Sequence, residues 1–165
     1  METYTKSIAK RSGLEIRTNG HTPGNVLPNS KWYDLYNEFY EYDSRVVKVL
    51  DYKDNKITME RVNFKYTLDE YTRIIDPNYT DKKFLNYFTQ FSDIWNNFLK
   101  FSNERLNGKI FIHNDYSLVN CVIDLDDNIR VIDPDSCRIV TSKMKLGNYL
   151  YAYAQLFEVR KRYYK

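Results

Sequence analysis

The stretch IHNDYSLVNCVIDLDDNIRVIDPDS, residues 112–136, decides how the rest of the chain is read. Two apolar runs, Cys121-Val122-Ile123 and Ile129-Arg130-Val131-Ile132, flank Asp126-Asp127-Asn128, whose residue types favour turns, so they predict a β-hairpin. A hairpin returns its two ends to one place. Asn120, just before the first strand, thereby becomes a neighbour of Asp133, just after the second. An amide oxygen and a carboxylate on one spot form a hard-oxygen site suited to Mg2+ with coordinated phosphates. Asp115 stands on the loop that follows Ile110-Phe111-Ile112, where its carboxylate can accept a proton from a hydroxyl. Phosphoryl transfer asks for little covalent help, because positioning and charge neutralisation dominate it. Asp124, Asp126 and Asp127 read as the hairpin tip.

The pattern His-x-Asp-x-x-x-x-Asn, followed by an apolar hairpin ending in Ile132-Asp133-Pro134-Asp135, resembles the catalytic core of the protein-kinase-like superfamily. His113-Asn114-Asp115 is similar to its small-molecule branch, the choline kinase and aminoglycoside phosphotransferase group. The resemblance spans about residues 7–160. It implies an α+β, bilobal protein-kinase-like fold: a reduced β-rich N-lobe (1–62) with one embedded helix, and a helical C-lobe (63–165) carrying the catalytic loop and hairpin. It implies Asp115 as the catalytic base, His113 as a brace of the loop, and Asn120 and Asp133, assisted by Asp135, as holders of Mg2+. In the N-lobe, Glu38 would pair with Lys10. The Glu60 carbonyl and the Val62 amide would contact the adenine of ATP.

Working outward, Ser7 to Arg11 and Leu14 to Arg17 read as short strands around Gly13, and Asn19-Gly20, Pro23-Gly24 and Pro28-Asn29 as loop. Trp32, Leu35, Tyr36, Phe39 and Tyr40 recur at helical spacing from Ser30 to Asp43. Val46 to Leu50 and Lys56 to Val62 predict strands joined by an Asp54-Asn55 turn. Leu68 to Ile75 predicts a helix closed by Asp76-Pro77. A longer one, capped by Thr80 or Asp81, carries Phe84 to Leu99 on an apolar face and ends at Asn107-Gly108. A last helix is expected from about Lys143 to Arg162.

Composition bounds the reading. The 165 residues are 42% hydrophobic and 28% charged, the balance of a globular domain. No apolar run is long enough to span a membrane, and METYTKSIAK lacks the core of a secretory signal, so a cytoplasmic protein is expected. Sixteen Tyr and only five Gly suggest AT-rich coding, bacterial or viral. Cys121 and Cys137 are expected to be reduced core residues, and His21 and His113 lack zinc-ligand spacing. From Arg138 onward seven Lys and Arg face one acid, Glu158, and this basic tail could meet an anionic partner.

The first functional expectation is an ATP- and Mg2+-dependent phosphotransferase acting on a hydroxyl of a small molecule or sugar-like acceptor, with homo-oligomerisation left open. The alternative is a pseudokinase-like regulatory or binding protein without turnover. Three departures from the family pattern keep it open: no GxGxxG among Gly13, Gly20 and Gly24, only 29 residues after Ser136, and Lys145 where an Asp is usual. Nucleic-acid binding through the tail is a third reading. Tyr149, Tyr153 and Phe157 recur at helical spacing, which suits core packing better than base stacking.

Overall fold

The aromatic residues that recur through the first half of the chain meet in one core. A computed structural model describes residues 16–18, 30–53 and 56–140. Helix α1 (Ser30–Tyr42) places Trp32, Tyr36 and Phe39 on its buried face. Helix α3 (Lys83–Arg105) does the same with Phe84, Phe91, Ile94, Trp95, Phe98 and Phe101. The two helices meet where the Phe39 ring stacks on Phe98 at 4.1 Å and meets Phe101 edge-on at 5.2 Å. Phe111, from strand β5 (Ile110–His113), closes the cluster at 5.7 Å from Phe39. Each such ring stabilises the fold by roughly 1.5–3 kcal/mol through burial. This cluster is therefore the mechanical base on which β5, and the loop after it, are set.

Three small antiparallel sheets complete a mixed α+β architecture. In the first, β1 (Ile16–Thr18), β3 (Lys56–Met59) and β2 (Val49–Lys53) lie in the order β1-β3-β2. In the second, the order is β4-β6-β7, with β4 (Phe64–Thr67) outside the hairpin of β6 (Cys121–Asp124) and β7 (Ile129–Val131). The third pairs β5 with β8 (Cys137–Val140), His113 opposite Cys137. One joint ties the first region to the hairpin: the Val131 amide donates to the Arg45 carbonyl and the Val47 amide to the Val131 carbonyl, both at 2.9 Å.

Several elements depart from the sequence expectation. Strands β4 and β8 stand where none is predicted. The β-branched run before β2 makes only a single bridge, Val46 to Val131, and pairing with β3 starts at Val49. The predicted helix over 68–75 divides into a one-turn helix α2 (Leu68–Glu70), capped reciprocally by Thr67 and Glu70, and a wider π-helical turn (Tyr71–Ile75). That turn closes with the Asp76 amide donating to the Tyr71 carbonyl, five residues back. Asp76 then accepts from the Thr80 and Asp81 amides, and Asp81 accepts from the Lys83 amide at the entrance to α3. Lys10, Gly13, Gly20, Gly24, the Asp54-Asn55 turn, Lys145 and the expected last helix with its basic charges lie outside the described residues. Cys121 and Cys137 are free, and burial pushes both thiols up.

The hairpin tip is clamped to α3. Asp127 takes a left-handed conformation (φ 63°) and accepts bonds from Lys65, Lys83 and the Tyr87 hydroxyl. Gln90 spans the same turn, donating to the Asp127 carbonyl and accepting from the Ile129 amide. The bonds from Lys65, Tyr87 and Lys83 hold the Asp127 carboxyl below the usual carboxylate range. A depressed folded pKa contributes stability that is present above the unfolded value, about 3.9, and is lost as pH falls through the folded one. Asp127→Asn keeps a residue type that tolerates this backbone but removes the charge. Urea melts at pH 7 and pH 3 should show the variant less stable at pH 7, and the difference shrinking at pH 3. An undiminished difference at pH 3 would assign the clamp to packing instead.

Candidate active site

The loop between β5 and β6 is fixed by residues that turn inward. The Tyr116 hydroxyl donates to the Phe91 carbonyl at 2.5 Å, and its ring stacks on Phe91 and tilts against Trp95. The Leu118 carbonyl accepts from the Asp69 amide at 3.0 Å, which docks the loop on α2. The Asn114 amide donates to the Ser136 carbonyl, so the start of the loop lies against the segment that follows the hairpin. Between these anchors Asp115 is exposed, while Asn120, five residues on, is only 1% exposed.

His113 joins the two halves. Its Nδ1 accepts from the Asp115 amide at 3.3 Å, which leaves the proton on Nε2 to be donated to the Ile132 carbonyl at 2.8 Å. A buried imidazole with both nitrogens so engaged is a strut between the loop and the end of β7. His113 thus ties the start of the loop to the end of the hairpin through one bond at each ring nitrogen.

Asn120 is held from one side only. Its amide nitrogen donates to the Asp115 carbonyl at 2.9 Å and to Asp115 Oδ2 at 2.8 Å. Those two bonds aim Oδ1 away, and that oxygen is buried with no hydrogen-bond partner among the described residues. An orphaned buried acceptor costs about 1–3 kcal/mol, so such atoms are rare unless a ligand completes them. The Ile132 amide donates to the Asn120 carbonyl at 2.9 Å, which brings the Asp133 backbone alongside. Asp133 is buried and left-handed (φ 72°, ψ 52°), and Pro134 to Ser136 continue as a short 3-10 turn. An Asp is among the few residues that take this conformation at modest cost. Asp135 lies half-buried in that turn.

The loop, hairpin base and turn thus bring His113, Asp115, Asn120 and Asp133 together. Among the described residues no group of three His, Cys, Asp or Glu is arranged to hold a metal. The Asn120 oxygen, unpartnered among the described residues, and the Asp115 carboxylate bonded to the Asn120 amide nitrogen are hard oxygen donors. Glu60 and Val62 follow β3. Val62 packs with Val47, Met59 and the hairpin residues Val122 and Ile132. The Glu60 carbonyl and Val62 amide make no hydrogen bond to a described residue. Glu38 is exposed on α1, and Lys10, its expected partner, lies outside the described residues. Sequence reasoning missed Tyr116 and Arg130. A lone aromatic inside a polar loop is a usable signal for the first; nothing local marks the second.

No helix of the described residues is long and apolar enough to cross a membrane. Comparison with protein-family models and with curated proteins finds no match to either.

Proposed function

We propose that the protein is an ATP-dependent phosphotransferase on a reduced, bilobal protein-kinase-like fold, acting on a hydroxyl of a small molecule or sugar-like acceptor. The observation that carries this reading is the buried Oδ1 of Asn120, without a hydrogen-bond partner among the described residues and pinned by the same two bonds that orient Asp115. Asn120 and Asp133, with Asp135 beside them, are the residues that would hold Mg2+. Bound there, the ion would offset the charge of the triphosphate.

Asp115 is exposed beside that site, and its Oδ2 is occupied by Asn120. Its other oxygen is the one that would meet the acceptor hydroxyl. In the transfer, the acceptor oxygen forms a bond to the γ-phosphorus and the bond to the bridging oxygen of ADP breaks. The hydroxyl proton passes to the Asp115 carboxylate and then to solvent. His113 takes no proton in this scheme, because both ring nitrogens are engaged. The Glu60 carbonyl and Val62 amide, which make no hydrogen bond to a described residue, would offer one acceptor and one donor, the pair an adenine edge requires.

The test is ADP release from ATP by the full chain, scored across candidate hydroxyl acceptors with Mg2+ and with EDTA. Release that needs both Mg2+ and an acceptor supports the reading. Nucleotide binding without release under any acceptor would favour the regulatory binding protein.

A further inference from the structure

Glu60 carries a side chain as well as a carbonyl, and the side chain does something separate. Its Oε1 accepts from the Lys48 amide at 2.8 Å and forms an ion pair with Arg130 Nη2. Arg130 belongs to β7, and its Nε donates to the Arg45 carbonyl. The pair therefore bridges the 60–62 segment to the strand that ends two residues before Asp133. Both side chains are mostly screened from solvent, Arg130 19% and Glu60 27% exposed, so the pair is less weakened by water than an open surface bridge.

We infer that Glu60 and Arg130 are positioning residues that set the distance between an adenine subsite at 60–62 and a metal–phosphate subsite at Asn120 and Asp133. This rests on the nucleotide-site reading above. A ligand that spans two subsites gains from their fixed separation, whereas a ligand that occupies one does not. Breaking the pair should thus weaken a magnesium–triphosphate ligand and spare adenosine.

Calorimetric titration of the full chain with magnesium AMP-PNP and, separately, with adenosine distinguishes these cases. In Arg130→Met the dissociation constant for magnesium AMP-PNP should rise about tenfold, with that for adenosine within about twofold. Glu60→Gln, which retains an oxygen for the Lys48 amide, should weaken magnesium AMP-PNP to a similar degree, and the double variant should lose no more than either single one. Should Arg130→Met fail to fold, Glu60→Gln carries the same comparison. Equal weakening for both ligands would reduce the pair to general support of the fold, and no weakening would remove its role; either result overturns the inference alone. A wild-type chain that binds neither ligand overturns the nucleotide-site reading and this inference with it.

Discussion

Asp115→Asn should leave magnesium-nucleotide binding intact while cutting turnover by about 10²–10⁴, the usual contribution of a positioned general base. The size of the effect follows from what the substitution keeps. The new side chain is isosteric, and its oxygen can still accept from Asn120 Nδ2, the bond now made at 2.8 Å. The backbone bonds that hold residue 115, from its amide to His113 and from Asn120 to its carbonyl, are untouched. Only the proton acceptor is lost. The loss should therefore fall on kcat and leave KM for ATP nearly unchanged, since in the proposed reaction Asp115 would meet the acceptor and not the nucleotide. Steady-state ADP release at saturating Mg2+ checks this. Turnover surviving within tenfold of wild type would show that Asp115 is not the base.

If Asn120 and Asp133 hold Mg2+ as proposed, Mg-ATP should raise the melting temperature of the wild type, and Asp133→Asn should abolish that shift. At about 100 times its dissociation constant, a ligand raises stability by roughly 2.7 kcal/mol, a shift on the order of several degrees for a chain of this size. Asparagine is chosen because position 133 has φ 72°, where most side chains would be strained before any question of metal arose. With backbone tolerance kept, the unliganded melting temperature should stay near wild type, and the lost shift then reads on the carboxylate alone. Differential scanning fluorimetry with Mg-ATP, ATP in EDTA and Mg2+ alone separates the contributions. A shift retained in full would place the cation elsewhere.

How much of this was legible in the sequence differs by element. The hairpin and its flanking polar residues were readable because each piece is local: two apolar runs, a turn between them, and ends that must coincide. The buried face of α1 and most of that of α3 were readable for the same reason, through spacing, though Leu85 and Leu99, expected on that face, are exposed. Strand β4 was not, because Phe64–Thr67 becomes a strand only by pairing with β6, nearly sixty residues away. The same holds for β8, whose partner β5 lies on the far side of the loop and hairpin. The π-helical turn at Tyr71–Ile75 also hid, since a helix-like pattern cannot report one residue more per turn. At the site, the identities of Asp115, Asn120 and Asp133 stood out, but the bond from Asn120 that frees its own Oδ1 is a matter of side-chain rotation. The Glu60–Arg130 pair joins residues 70 apart, and only the folded chain brings them together.

The chain has two tryptophans, and both stand behind the site. Trp95 leans on Tyr116 within the loop, while the Trp32 indole donates to the Cys137 carbonyl, immediately after the turn that carries Asp135. Each indole thus touches one of the two segments that carry the candidate site residues, and each is an intrinsic optical reporter of that segment. Emission from Trp95 should follow the loop and emission from Trp32 the turn, so exchanging either indole for phenylalanine should leave a probe of the other segment.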